Sequence, residues 1–104
     1  MVKKSIIETA TNYLKQIPKE LKIKKAYLFG SYAKGTDRED SEIDIALVFG
    51  NTTDFFATQM LQVRLGRRID LRIEAHLINV ADFSDMNPFA NEIINSGIEL
   101  ELTP

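Results

Sequence analysis

Two segments of this chain, residues 42–49 and 68–77, repeat aliphatic residues at every second position, the period of a β-strand, and this repeat constrains the fold more than any other feature. Successive side chains of a strand point to opposite faces of a sheet, so each segment predicts a strand with one aliphatic face. In the first segment, the alternating sets are Ile43, Ile45, Leu47, Phe49 and Glu42, Asp44, Ala46, Val48; in the second, they are Ile69, Leu71, Ile73, Ala75 and Asp70, Arg72, Glu74, His76.

Helical segments surround these strands. Apolar residues at helical spacing predict a first helix with Ser5 as N-cap and Pro18 as its stop. The remaining elements are a strand over Lys24–Phe29 with a helical turn after Ser31, a helix capped by Thr53 or Asp54 and running to about Leu65, an irregular stretch over 78–87, a helix from Asn87-Pro88 to Gly97, and a short strand over Ile98–Leu102. This order predicts an α/β (α+β) fold, a mixed sheet packed with helices.

Composition narrows the class of protein. The 104 residues, 44% hydrophobic and 27% charged, predict one domain over 1–104. No apolar run is long enough to span a membrane, the first residues lack the apolar core of a signal peptide, and there are no cysteines. We therefore expect a cytoplasmic protein without a disulfide framework and without membrane contact.

Charge is distributed unevenly along the chain. Residues 1–25 hold seven lysines and two glutamates, whereas residues 26–104 hold six basic and thirteen acidic groups. A basic segment can indicate nucleic-acid binding. Here the lysines are spread out, no aromatic residues lie between them, and the whole chain is acidic. The interpretation we favour is a solvated helix face and linker, with nucleic acid not expected as a partner.

Three carboxylates are the candidate catalytic groups. Glu42 and Asp44 are two residues apart in a predicted strand and therefore share a face. Asp70 lies in the other predicted strand, and it would join them if the two strands were neighbours in the sheet. Three carboxylates on one side of a rigid sheet suit Mg²⁺, which is bound through carboxylates together with substrate phosphates. Any one of them alone would more simply mark the solvent face of the sheet.

A Gly-Ser turn supplies the second half of the predicted site. Gly30 and Ser31 directly follow a predicted strand and precede a helical turn. A backbone that leaves a strand in this way offers free N–H groups and a hydroxyl, which are the donors a phosphate needs. The turn is not a Walker A loop, because Thr36-Asp37 follows Gly35 where that loop requires Lys-Ser/Thr.

Together these residues resemble a known family. Gly30-Ser31, ten intervening residues, and Glu42-Ile43-Asp44-Ile45 resemble the signature of the nucleotidyltransferase superfamily typified by DNA polymerase β. The wider run Leu28–Val48 is similar to its compact prokaryotic branch, the minimal nucleotidyltransferases, and Asp70 in Arg68-Ile-Asp-Leu matches that family's third carboxylate. One residue departs from the pattern, because the family usually has Asp where this sequence has Glu42.

The resemblance implies a two-metal mechanism in which Mg²⁺ ions bridge the carboxylates and a nucleoside triphosphate, ATP or another NTP. Gly30 and Ser31 would hold the β- and γ-phosphates, and Glu42 and Asp44 would bind both ions. Asp70 would complete one metal site and receive the proton of the acceptor hydroxyl. Lys34 and Arg38 lie in the connecting loop, where they would reach phosphate or remain exposed.

The resemblance also implies a partner. In the minimal family this is often a helical protein of the HEPN class in a toxin–antitoxin pair, and the nucleotidyltransferase attaches AMP to a tyrosine of the toxin. An alternative, favoured by Glu42, is a weakened nucleotide-binding module that neutralises its partner by forming a complex. Transfer to an aminoglycoside-type small molecule lacks support, since no substrate domain is present.

Other residues receive structural interpretations. His76 shares the parity of Asp70 and could line the site, but a lone histidine at a strand end is more often structural or exposed. The apolar residues Phe55, Phe56, Met60 and Leu61 of the third helical segment are expected in the core rather than in a base-stacking platform.

Overall fold

The protein is built on a four-stranded mixed sheet with helices on both faces. The computed structural model describes residues 2–50 and 54–102. The helices are α1 (Lys4–Gln16), α2 (Ser31–Lys34), α3 (Phe55–Ile69) and α4 (Pro88–Ser96), and the strands are β1 (Ile23–Phe29), β2 (Ile43–Phe49), β3 (Ile73–Asn79) and β4 (Ile98–Leu100). The predicted fold class, an α+β arrangement around a mixed sheet, is confirmed.

The strand order is β3-β2-β1-β4. β1 is antiparallel to both β2 and β4, and β2 is parallel to β3. The end of β1 and the beginnings of β2 and β3 therefore meet at one edge of the sheet. We call it the catalytic edge, because the candidate residues Gly30 and Asp44 lie there.

The aliphatic side of the alternation forms the main core. Ile43, Ile45, Leu47 and Phe49 of β2 are fully buried together with Ile73 and Ala75 of β3, and α1 adds Ala10 and Tyr13 to the same cluster. The opposite side of the sheet packs a smaller cluster against α4: Tyr27, Phe29, Ala46, Val48, Ile78 and Ile93. Because successive side chains of a strand point to opposite faces, one face of the sheet packs the main core and the other packs the smaller cluster under α4.

Helix α3 lies close against β3. A Cβ atom on Gly66 would lie 2.6 Å from Ile73 Cγ2, so glycine permits this approach. Nearby, the buried Tyr13 hydroxyl donates to Gln62, and burial raises the pKa of this phenol above its ordinary value. Gln59 binds the main chain of β3 at Ala75 and Leu77.

Several local predictions are wrong. Ser5 does not cap α1, because Lys3 is at the N-cap and the Ser5 carbonyl accepts from the Thr9 hydroxyl inside the helix. Asp54 caps α3 by accepting from the Ala57 N–H, while Thr53 lies outside the described residues. The apolar residues of α3 expected in the core are exposed, at 46%, 74%, 37% and 59% for Phe55, Phe56, Met60 and Leu61.

The C-terminal predictions agree with the structure. Asn87 caps α4 by accepting from the main-chain N–H groups of Phe89 and Ala90, and Pro88 occupies its first turn. In the part of the chain that the structure describes, no helix has the length and apolarity needed to cross a membrane.

Candidate active site

The turn at the end of β1 is shaped by glycine. Gly30 has φ 77° and ψ −153°, a conformation that is essentially restricted to glycine. It leads into α2, which begins at Ser31, and the first N–H groups of a helix have no partner inside the helix. The turn therefore presents main-chain donors at the catalytic edge, as the sequence predicts.

Asp44 lies directly against this turn. It pairs with Phe29 in the β1–β2 ladder, and a Cβ atom on residue 30 would collide with Asp44 Oδ2. Its side chain is 21% exposed. Glycine at position 30 thus serves two purposes, because it allows the backbone conformation and leaves room for the carboxylate.

Glu42 is placed differently from the prediction. It lies two residues before Asp44 but precedes the first residue of β2, Ile43, and it is exposed. Glu42 is therefore in the connection that leads to the strand rather than in the strand.

Asp70 does not lie in a strand either, and that prediction is wrong. The good helix formers Arg64, Leu65, Arg67 and Arg68 extend α3 through Ile69, so residues 68 and 69 are helical, and a turn at 71–72 precedes β3. Asp70 is the C-cap residue, and its main-chain N–H donates to the Gly66 carbonyl. Its carboxylate accepts three hydrogen bonds from Arg72, and they hold the pKa of Asp70 below its usual range, the side-chain bonds being the largest cause.

The position beside Asp44 is occupied by Glu74. β2 and β3 are parallel with Asp44 opposite Glu74, so the two carboxylates share a face on neighbouring strands. Glu74 Oε2 accepts from Arg67 Nη2 at 3.0 Å and is 28% exposed. From the sequence, Glu74 could either assist the site, as His76 could, or only pair with Arg67 or Arg72. The structure shows the pair with Arg67 and also places Glu74 opposite Asp44, a register that alternation alone does not give.

His76 lies one step further along the same face. Its Nε2 is 3.3 Å from Asp44 Oδ1, and its ring contacts Phe29 edge to face with centroids 5.1 Å apart. Phe89, which α4 brings to this side, lies 5.5 Å from Phe29 and 5.9 Å from His76. His76 therefore lines the site instead of being a structural histidine remote from it, and an aromatic group flanks the carboxylate.

Lys34, one of the two cations that could reach phosphate, has another partner. Its Nζ is 2.6 Å from Glu92 Oε1 and links α2 to α4, while the main-chain N–H of Arg38 donates to Ser41 Oγ. The arginines that contact carboxylates near the site are Arg67, paired with Glu74, and Arg72, paired with Asp70.

The donor set suits a hard divalent ion that also takes ligands from a bound substrate. Within residues 2–50 and 54–102, no three Asp, Glu, His or Cys side chains are arranged as a complete metal site. Asp44 and Glu74 offer two neighbouring carboxylates, with main-chain donors of the Gly30 turn next to them. Because Mg²⁺ is usually held by one or two carboxylates together with substrate phosphates and water, this set fits it.

The chain is similar in sequence to proteins named as adenylyltransferases. A relative from Methanocaldococcus jannaschii, named as a candidate protein adenylyltransferase, is 30% identical over 69 residues, which is 66% of this chain and 80% of the relative. The protein adenylyltransferase MntA of Shewanella oneidensis is 30% identical over 76% of this chain, and the match spans about half (54%) of that relative.

A solved structure shares the fold. It contains a tri-AMPylated HEPN toxin from Shewanella oneidensis in complex with its MNT antitoxin, and the match has a TM-score of 0.58 and 25% identity over 96% of this chain and 72% of the matched one. Residues 8–101 match the model of the family described as polymerase beta, nucleotidyltransferase. The chain therefore belongs to the polymerase β nucleotidyltransferase family.

Proposed function

We propose that this chain transfers a nucleoside monophosphate, AMP from ATP, to a hydroxyl group of a partner protein. The observation that carries the proposal is the juxtaposition of Asp44 with both the Gly30 turn and Glu74 at the catalytic edge. A nucleotidyl transfer needs N–H groups that donate to the phosphates and carboxylates that bind metal, and here Asp44 lies against the turn that carries the N–H groups.

Each residue has a role in this proposal. Gly30 and Ser31 would hold the β- and γ-phosphates, and Glu42 and Asp44 would bind the metal ions. Two bound Mg²⁺ ions would stabilise charge on the attacking and leaving oxygens. The third carboxylate is Glu74, which shares a face with Asp44, or Asp70, which the sequence resemblance favours.

The reaction is an in-line displacement. The acceptor oxygen forms a bond to the α-phosphorus of ATP, the bond to the bridging oxygen of the β-phosphate breaks, and pyrophosphate leaves. The third carboxylate accepts the proton of the acceptor hydroxyl. His76 orients Asp44 through their 3.3 Å contact, and the aromatic group of Phe29 and Phe89 limits water on that side.

We propose a HEPN-type helical protein as the acceptor, with a tyrosine hydroxyl as the reacting group and this chain as the antitoxin. The similarity to two adenylyltransferases and to an antitoxin bound to an AMPylated HEPN toxin supports this choice. We propose further that residues 1–104 form one minimal nucleotidyltransferase domain.

A second candidate function rests on Glu42. Its exposed position ahead of β2, and the lack of a complete three-ligand group among the described residues, favour a nucleotide-binding module that neutralises its partner by complex formation.

The test is incorporation of labelled AMP into a co-expressed HEPN-type partner. Asp44→Asn keeps the shape of the side chain but removes its charge, so we expect transfer to fall by roughly a hundredfold or more while the protein stays folded. Loss of folded protein would instead make Asp44 structural. Partner neutralisation without AMP incorporation by the wild-type protein would favour the binding module.

A further inference from the structure

Two surface cavities meet at Pro18, away from the catalytic edge. One has a volume of about 250 Å³ and the other about 290 Å³, and Pro18 lines both. We call the combined depression the basic groove. Its floor is aliphatic and is formed by Leu14, Ile17, Ile23, Leu61, Leu65 and Leu102.

Charged residues of one sign line this groove. Five are basic, none is acidic, and no ion-pair partner occurs for any of the five in the described part of the chain. Glu20 and Glu101 are close in sequence but do not line either cavity. A chain of net charge −2 thus concentrates unpaired positive charge around one apolar floor. The five residues are Lys15, Lys19, Lys22, Arg64 and Arg68.

The groove is separate from the nucleotidyl-transfer site. It is lined at the start of β1 by Ile23, whereas the catalytic edge lies beyond Phe29 at the other end of that strand. Six residue steps along a strand span about 20 Å. A molecule bound in the groove therefore leaves the Gly30 turn accessible.

The chemistry of the groove selects its occupant. Single-stranded nucleic acids are bound through aromatic platforms on which bases stack, and no aromatic residue lines either cavity. An aliphatic floor between cationic rims matches a helix with one aliphatic face flanked by carboxylates. We propose that the basic groove is a docking site for an acidic amphipathic helix of a partner protein. This inference goes beyond the transfer reaction and does not depend on it.

The test uses a labelled synthetic peptide with leucines at helical spacing and glutamates at the other positions, titrated with the full chain by fluorescence anisotropy. The groove variant combines Lys19→Glu with Arg68→Glu. A matched control combines Lys4→Glu with Lys25→Glu, exposed residues outside the groove that change the net charge equally. We expect the groove variant to bind at least about tenfold more weakly and the control to stay within about twofold.

Leu61→Gln tests the apolar floor separately, since Leu61 is 59% exposed and its replacement leaves the core intact. It should also weaken binding, and thermal melting of each variant with Mg·ATP reports whether the fold and the catalytic edge persist. Equal binding of a scrambled peptide of the same composition, equal loss in the control variant, no binding of the peptide, or tighter binding of an oligothymidylate would each overturn the proposal.

Discussion

Glutamate at position 42 is longer than aspartate by one methylene, and this difference makes the proposed site testable at a single residue. If Glu42 is a working ligand, the site has adjusted to the longer side chain, and Glu42→Asp would retract the carboxylate by about 1.5 Å. A misplacement of this size costs roughly a hundredfold in rate. We therefore expect Glu42→Asp to be slower than the wild type and Glu42→Gln to be inactive, measured by AMP incorporation.

The opposite result has a clear meaning. If the wild-type protein transfers no AMP and Glu42→Asp gains activity, the enzyme interpretation is wrong and the binding module is favoured.

The identity of the third carboxylate is a second question at this scale. Glu74 lies opposite Asp44 in the β2–β3 ladder, whereas the Asp70 carboxylate already accepts hydrogen bonds from the Arg72 side chain. We expect Glu74→Gln to lower AMP transfer by at least about a hundredfold and Asp70→Asn to lower it less. A larger loss in Asp70→Asn, with the fold retained, would restore Asp70 as the third ligand.

At the scale of elements, the junction between α3 and β3 determines which carboxylates meet. Three hydrogen bonds from Arg72 close a turn on Asp70, and the Ile73 N–H donates to the Asp70 carbonyl. This turn delays the start of β3 until Ile73, opposite Ile43 of β2. The junction therefore sets the register that brings Glu74 beside Asp44.

The junction also predicts a pH dependence of stability. The pKa of Asp70 is lower in the folded protein than in the unfolded chain, where it is about 3.9. As the pH falls below that value, the unfolded chain therefore binds more protons than the folded protein. The stabilisation is complete above that value and is lost as the pH falls through the folded pKa. We expect Asp70→Asn to lower the free energy of unfolding at pH 7 by about 1 kcal/mol or less, measured in urea. The difference from the wild type should shrink under strongly acidic conditions, and a difference independent of pH would contradict it.

For the whole molecule, the sequence predicts the elements better than their relations. The run Ile43–Phe49 is long and apolar except at Asp44, so the predicted strand is confirmed, and all of its residues but Asp44 are buried. The strand predicted to begin at residue 68 is wrong at its start. Helix α3 continues through Ile69 there, and the turn at Asp70 follows it. Periodicity gives the face of a residue but neither its register nor its neighbours, because these depend on how distant segments pair.

The candidate site shows the same limit. Asp44 lies beside Gly30 because β1 pairs with β2, and the proximity of Glu74, His76 and Phe89 depends on the parallel pairing of β2 with β3 and on the packing of α4. The exposure of Phe56 was equally unpredictable, since helical spacing cannot tell a core face from an outward one.

Binding of metal and nucleotide should stabilise the whole fold, because both act on the sheet edge where three strands meet. Asp44 and Glu74 are like charges on neighbouring strands, and a divalent cation bound with ATP relieves their repulsion. At a ligand concentration about 100-fold above Kd, binding adds about 2.7 kcal/mol to the free energy of unfolding. For a domain of this size we expect Mg·ATP to raise Tm by about 10 °C in a thermal melt, and ATP with EDTA to raise it much less.

Asp44→Asn should reduce the Mg²⁺-dependent part of the shift, and an equal shift with and without EDTA would remove the metal from the proposed site. Since this readout needs no partner, it separates a failure to bind nucleotide from a failure to find the acceptor.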